Sequence, residues 1–176
     1  MKSNIALIGF MGAGKTTIAR ALAKKINRKF VELDSLIERE AGKSITDIFS
    51  QDGEITFREL EIKVIKDISS GGNMVIACGG GIVLNQINID RLRKASVIVY
   101  LALSSHELFR RVINTREERP LLNVENLESV ICKLLKYRKH LYENAADIMI
   151  NTTKMAVDSV VDNIVNTLSC DESFNL

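Results

Sequence analysis

The chain has 176 residues, 46% of them hydrophobic and 26% charged, with a net charge of +2. That length suits one domain with ample apolar material for a core, and so small a charge surplus gives no basic field of the kind that nucleic-acid binders carry. Cys78, Cys132 and Cys170 lack CxxC spacing, which argues against a disulfide framework or zinc site. No apolar run reaches the ~18 residues that span a bilayer, so the expectation is a soluble cytoplasmic protein with no membrane or nucleic-acid partner.

Short apolar runs alternate with segments of helical period, the pattern of βαβ units and a parallel sheet. Asn4 to Ile8 reads as a buried strand, and Lys15 to Lys25 as a helix with Ile18, Leu22 and Ile26 on one face. Phe30 to Leu33 reads as a second strand ending at Asp34, followed by helices over 35–41 and 46–70. Met74 to Cys78 is a third strand stopped by Gly79-Gly80-Gly81, and Val97 to Leu101 a fourth, apolar enough for the middle of a sheet. A helix over 104–115 gives way to the polar stretch Arg116 to Pro120. Helix over 126–144, a weak strand over 148–150 and a last helix with Val157, Val160, Val161, Ile164, Val165 and Leu168 complete the domain. The expectation is a single domain over 1–170, with residues beyond Ser169 as a frayed tail.

Gly9-Phe10-Met11-Gly12-Ala13-Gly14-Lys15-Thr16 matches G-x-x-x-x-G-K-[ST] in full. Glycines allow the curvature that turns successive backbone N–H groups toward one anion, and the helix that follows presents its positive end. Lys15 can reach the β- and γ-phosphates, and the Thr16 hydroxyl can hold Mg²⁺. Gly12, Ala13, Gly14, Lys15, Thr16 and Thr17 are therefore the expected nucleotide contacts. An apolar strand precedes the loop and an amphipathic helix follows it, which is the context the motif requires.

The rest of the chain narrows the kind of P-loop protein. No Asn-Lys-x-Asp segment is present to read a guanine base, and no apolar strand ends in Asp-Glu as in motor ATPases. Glu32-Leu33-Asp34 is the acidic strand end, placing a carboxylate beside the phosphate loop where it can serve either Mg²⁺ or an acceptor hydroxyl. A small chain, one domain and an arginine-bearing loop between helices point to a small-molecule kinase.

GFMGAGKTT, the ELD segment with Ile37-Glu38, Ile48-Phe49, Phe57-Arg58-Glu59-Leu60-Glu61, Cys78 to Gly81, Arg119-Pro120-Leu121-Leu122, Tyr137-Arg138 and Leu141-Tyr142 resemble the shikimate kinase family. The blocks keep the family's order from about Ile5 to Tyr142. The resemblance implies a three-layer α/β/α fold with a five-stranded parallel sheet and a mobile lid over about 114–125. It also implies Mg·ATP-dependent phosphorylation of the 3-hydroxyl of shikimate, within aromatic amino-acid biosynthesis.

Roles follow from the resemblance residue by residue. Asp34 would contact the hydroxyl and take its proton, although Asp there also suits a helix N-cap. Glu32 stands where the family usually carries Asp to hold Mg²⁺, mostly through water. Arg58 and Arg138 would grip the substrate carboxylate with guanidinium forks, and Glu61 is spaced to orient Arg58 as an i,i+3 pair. Backbone amides of Gly79, Gly80 and Gly81 would meet substrate hydroxyls, with Phe49 and Phe57 walling the pocket. Arg119 on the lid would bring positive charge to the transferring phosphoryl group, and Arg111 would stack on adenine. Cys78 reads as a small buried apolar residue. Each helix shows one apolar stripe, which suggests a monomer.

Other readings remain at this level. A kinase of another small polyol acid, such as gluconate, would share the fold; Arg58, Arg138 and the triple glycine favour shikimate over it. Nucleoside monophosphate kinases fit worse, since no Asp-Gly-Phe-Pro-Arg segment occurs. A nucleotide-binding regulator would retain the loop without transfer, and Glu32 is the feature pointing that way.

Overall fold

How completely each strand is apolar decides where it lies in the sheet. The computed structural model describes residues 2–114 and 127–170, together with Phe174. β1 (Asn4–Ile8), β3 (Met74–Ala77) and β4 (Ser96–Ala102) are buried almost throughout. β2 (Lys29–Glu32) and β5 (Ile148–Asn151) are partly exposed. The sheet is parallel, in the order β2–β3–β1–β4–β5, so the three buried strands are the central ones. Asn4 is fully buried yet satisfied: its amide donates to Gly71 O at 2.9 Å and its carbonyl accepts from Met74 N at 3.0 Å, tying β1 to the start of β3.

The helices are α1 (Lys15–Lys25), α2 (Leu33–Ala41), the single turn α3 (Ile45–Asp47), α4 (Gly53–Ile68), α5 (Gln86–Ala95), α6 (Ser105–Asn114), α7 (Leu127–Ala145) and α8 (Val157–Ser169). α1 buries Ile18, Ala19, Leu22 and Ala23 against β1, β2 and β3, with α8 beside it. α5 and α7 pack on β4, and α4 bridges α2 and α5. This is the expected three-layer α/β/α arrangement with helices on both sides of the sheet.

Several elements differ from the sequence reading for physical reasons. The second strand stops at Glu32 and Leu33 opens α2, so Asp34 sits in a first helical turn rather than at a strand end. The long helix expected over 46–70 is interrupted: a π-helical turn at Ile48–Asp52 precedes Gly53, whose φ of 84° breaks the run. Asp52-Gly53 is a turn signal that the apolar spacing masks. α5 has no counterpart in the sequence reading. Its buried Ile89 and Leu92 form a short stripe flanked by the buried polar Asn88, and the Asn85 side chain caps it by accepting from Ile87 N at 3.1 Å. Where a frayed tail is expected, Phe174 is buried, bridges to Lys2, and lies 4.8 Å from the Arg28 guanidinium carbon. The other strands and helices agree with expectation to a residue at each end.

β1 has β3 on one side and β4 on the other, while the chain visits β2 in between. The order therefore reverses around β1, and ligands of such sheets bind beyond the carboxyl ends at that point. The phosphate loop follows β1, Glu32 ends β2 and Gly79-Gly80-Gly81 follows β3, so three of the singled-out segments meet there.

Candidate active site

The phosphate loop is built mostly from main chain. Gly12 and Gly14 take φ of 77° and 86°, a region L side chains rarely adopt, and Gly14 is the left-handed N-cap of α1. Lys15 Nζ donates to Phe10 O at 3.0 Å, folding its charge back over the loop. Thr16 Oγ1 donates to Glu32 Oε1 at 2.8 Å, and Ser35 Oγ reaches the other Glu32 oxygen at 3.4 Å. A hydroxyl and a carboxylate joined at the phosphate end form a hard-oxygen donor pair of the kind Mg²⁺ takes while keeping several waters. Glu in place of Asp therefore still reaches Thr16. Among the described residues no cluster of three or more His, Cys, Asp or Glu forms a metal cage.

Beside this loop lies a cleft of about 220 Å³ lined by Gly14, Thr17, Ile18, Arg111, Thr152, Met155, Val157 and Val160. Arg111 Nε donates to Glu107 Oε1 at 3.0 Å, and the Arg111 guanidinium flanks Gly14. Bonds from Arg110 and Arg111 hold the Glu107 carboxyl down at about 2, so this anchor is ionised at any ordinary pH. Arg111, for which the resemblance implies an adenine contact, lines this cleft. The sequence reading took Val157 and Val160 only as the core stripe of the last helix and gave Thr152 and Met155 no role; the signal for Thr152 was the polar Asn151-Thr152-Thr153 running from the end of β5, a carboxyl-end loop like the others.

The second half of the site is held by side chains on side chains. Arg58 bonds Glu61 at 3.3 Å and Glu54 at 3.0 Å, and its guanidinium carbon sits 5.1 Å from the centre of the Phe57 ring. Phe57 is buried and stacks at a tilt on the half-buried Phe49, centroids 4.7 Å apart. Glu61 is 1% exposed. Burial pushes its carboxyl up, opposed by the charge and hydrogen bond of Arg58 and by an amide bond from Asn88, while Asp34 raises it further.

The triple-glycine turn is the joint between the halves. A Cβ on Gly79 would stand 2.9 Å from Asp34 Oδ1 and 3.6 Å from Glu61 Oε1. One on Gly80 would meet Met11 N of the phosphate loop at 3.3 Å, and one on Gly81 would strike the Arg58 nitrogens at 2.6 and 2.7 Å. The glycines are there because three groups press on the turn. Cys78, just before it, is buried and lies in the fields of Lys15, Glu61 and Asp34, which gathers those three charges about one point. Burial drives its thiol up to about 12, so it is inert, as expected.

α7 reaches the same turn. The Tyr142 hydroxyl donates to Gly80 O, and its ring stacks on Tyr100 at 5.1 Å. Burial raises the Tyr142 hydroxyl to about 12, offset by the charge of Arg138 and a hydrogen bond with it. Arg138 Nε is buried with no hydrogen-bond partner among the described residues, a donor that a carboxylate would satisfy. Arg119, and with it nearly all of the expected lid, lies outside the described residues.

A family profile described as shikimate kinase matches residues 11–169. Among curated proteins, the shikimate kinase of Thermodesulfovibrio yellowstonii is 44% identical over 162 residues, covering 92% of each chain. The chain belongs to the shikimate kinase family. Dehalococcoides mccartyi shikimate kinase is 41% identical over 167 residues, covering 95% of this chain and 94% of its own. The solved structure of Acinetobacter baumannii shikimate kinase in complex with shikimate superposes with a TM-score of 0.91 at 35% identity, over 98% of this chain and 96% of that one. Aquifex aeolicus shikimate kinase gives 0.82 at 32% identity, over 94% and 96%. Shikimate kinases are P-loop enzymes that use ATP and Mg²⁺, and the chain carries the fold and the loop for both.

Proposed function

We infer that the chain transfers the γ-phosphoryl group of ATP to the 3-hydroxyl of shikimate, releasing ADP and shikimate 3-phosphate. The observation that carries this reading is the Gly79-Gly80-Gly81 turn, which touches the phosphate loop at Met11 and the Arg58–Glu61 pair within one short segment. A donor nucleotide and an acidic acceptor bound at those two ends would meet at Asp34.

In this reading Gly12 to Thr17 cradle the phosphates, with Lys15 offsetting the charge that builds on the transferring group. Thr16 and Glu32 would hold Mg²⁺ with water, and the ion when bound offsets charge on the β- and γ-oxygens. Arg58 and Arg138 clamp the carboxylate, Arg138 through its unpartnered Nε. Clamping one end of a rigid ring directs a hydroxyl on its far side toward Asp34, and such orientation lowers the barrier by removing translational and rotational freedom beforehand. Asp34 accepts the hydroxyl proton as the oxygen attacks phosphorus and the bond to the β-phosphate oxygen breaks. Arg111 would hold adenine in the cleft, and Arg119, which lies outside the described residues, would add positive charge at the transferring group as the resemblance implies.

The domain would span 1–170 and act as a monomer, resting on a single apolar stripe per helix. Free Cys78, Cys132 and Cys170 favour a reducing, cytoplasmic setting; among the described residues no helix is long and apolar enough to cross a membrane. The test is coupled ADP release with Mg·ATP, comparing shikimate, gluconate and a nucleoside monophosphate. Release with shikimate alone supports the reading; release only with another acceptor overturns the substrate while keeping the nucleotide site.

A further inference from the structure

Asn88 is a buried amide that neither the fold nor the transfer chemistry described above requires. It is fully buried on α5, between Ile89 and the cap at Asn85, and its Nδ2 donates to Glu61 Oε2 at 3.1 Å. The orientation follows from the partner, because an ionised carboxylate only accepts. Asn88 Oδ1, in contrast, is buried with no partner among the described residues. An amide that leaves its carbonyl unpaired in the core is costly, and an apolar side chain would avoid that cost. Core packing therefore does not account for it; the bond to Glu61 does.

That bond lies one step behind the acid clamp. Glu61 holds Arg58 at 3.3 Å, and Arg58 is pressed against Gly81 so closely that a methyl there would overlap its nitrogens. We infer that Asn88 is a positioning residue for the substrate carboxylate, acting through Glu61 to keep Arg58 ionically anchored and aimed. This rests on the shikimate kinase reading and adds a residue on a third helix, α5, whose Arg91 also ties back to α4 by donating to Ile62 O at 2.8 Å.

The logic is electrostatic. Glu61 is faced by Arg58 from its own helix, Asp34 from α2, Cys78 at the end of β3 and Asn88 from α5. Burial and Asp34 push its carboxyl toward the neutral form, while Arg58 and Asn88 favour the charged form. Removing the amide donor lets Glu61 take a proton at higher pH, and a neutral Glu61 no longer anchors Arg58.

Asn88→Val and Asn88→Thr separate the donor from the shape, since the pair is alike in size and Thr alone keeps a hydroxyl donor. Asn88→Val is expected to raise the KM for shikimate about tenfold at pH 7, the worth of one charged hydrogen bond. Its kcat and KM for ATP should change less than about twofold, and the acid limb of kcat/KM should move to higher pH. Asn88→Thr should rescue most of both effects. Equal KM values and equal acid limbs in the two variants would overturn the inference, because a packing role would affect them alike. Should the β-branched pair fail to fold, Asn88→Ala against Asn88→Ser applies the same comparison. The Glu61 carboxyl titration, followed by NMR in wild type and Asn88→Val, distinguishes the two levels. An unmoved midpoint overturns the role of Asn88, whereas a shifted midpoint in a protein inactive on shikimate supports the link and overturns the substrate.

Discussion

The two ends of this site are made in different ways. The phosphate loop is mostly main chain: a buried strand, a loop with positive-φ glycines and a helix N-terminus, contiguous from Asn4 to Lys25. The proposed acid end gathers groups from α2, α4, α5, α7 and the turn after β3, with Asn88 bonded to Glu61, Glu61 to Arg58, and Tyr142 to the Gly80 carbonyl. A main-chain site depends on a few conformational rules and tolerates change elsewhere. Such a cluster places charge in the core, where Glu61 is 1% exposed, and inherits a sensitivity to pH and to every member. If that cluster holds the acid substrate as proposed, substrate selectivity rather than nucleotide binding is the part of this enzyme open to disturbance from a distance.

The comparison breaks most readily at Asp34, where the ends meet. Asp34→Asn should lower kcat by ~10²–10⁴, the usual contribution of a placed base, with ATP binding unchanged by calorimetry; near-normal turnover would leave Asp34 only a positioning role. Arg138→Ala should raise the KM for shikimate ~10–150-fold, from ~1.5–3 kcal/mol for a charged hydrogen bond, with the KM for ATP untouched. Steady-state kinetics with each substrate varied in turn would show it. A change in both KM values would show that the ends are one unit.

Gly81→Ala sharpens the contrast further. Its new methyl would overlap the Arg58 guanidinium at 2.6 Å, the movable end of a side chain, so Arg58 shifts while the fold holds. The expected result is a KM for shikimate raised about tenfold with the melting temperature near wild type, as for the loss of one charged bond. Smallest is the effect of Glu61→Gln on stability against pH. Burial raises this carboxyl above its ordinary 4.5, so the folded state binds the proton to higher pH than the unfolded chain does. Wild-type stability therefore declines as pH rises through the window from 4.5 to the raised value, and Gln removes that decline. Relative to wild type, the variant should gain in melting temperature as pH rises through that window. Parallel melting profiles would mark Glu61 as an ordinary carboxylate.

The same contrast explains what was legible in the sequence. Contiguous main-chain features could be read directly: the phosphate loop, the central strands β1 and β4, and the stripe of α8 all lie where periodicity puts them. Glu32-Leu33-Asp34 could not, because alternating polarity over three residues suits a strand end and a first helical turn equally; the break is decided by the pairing of Glu32 with Ala77. α5 was missed since Asn88 sits in its apolar face, and the reason for Asn88 is a carboxylate 27 positions earlier in the chain. Tyr142 carried no legible role for the same reason, its partner Gly80 being remote in sequence. Arg58, Glu61 and Arg138 were reached only through resemblance; the structure adds an ion pair from Arg58 to the buried Glu61, a glycine pressed by Arg58 and an Arg138 Nε with no partner among the described residues.

The most direct measurement is phosphorus NMR of the chain incubated with Mg·ATP and shikimate. The account predicts a new phosphomonoester resonance coupled to the proton on ring carbon 3, rising as ADP forms. ADP without that ester, or an ester at another position, would contradict transfer to the 3-hydroxyl between the two ends of the site.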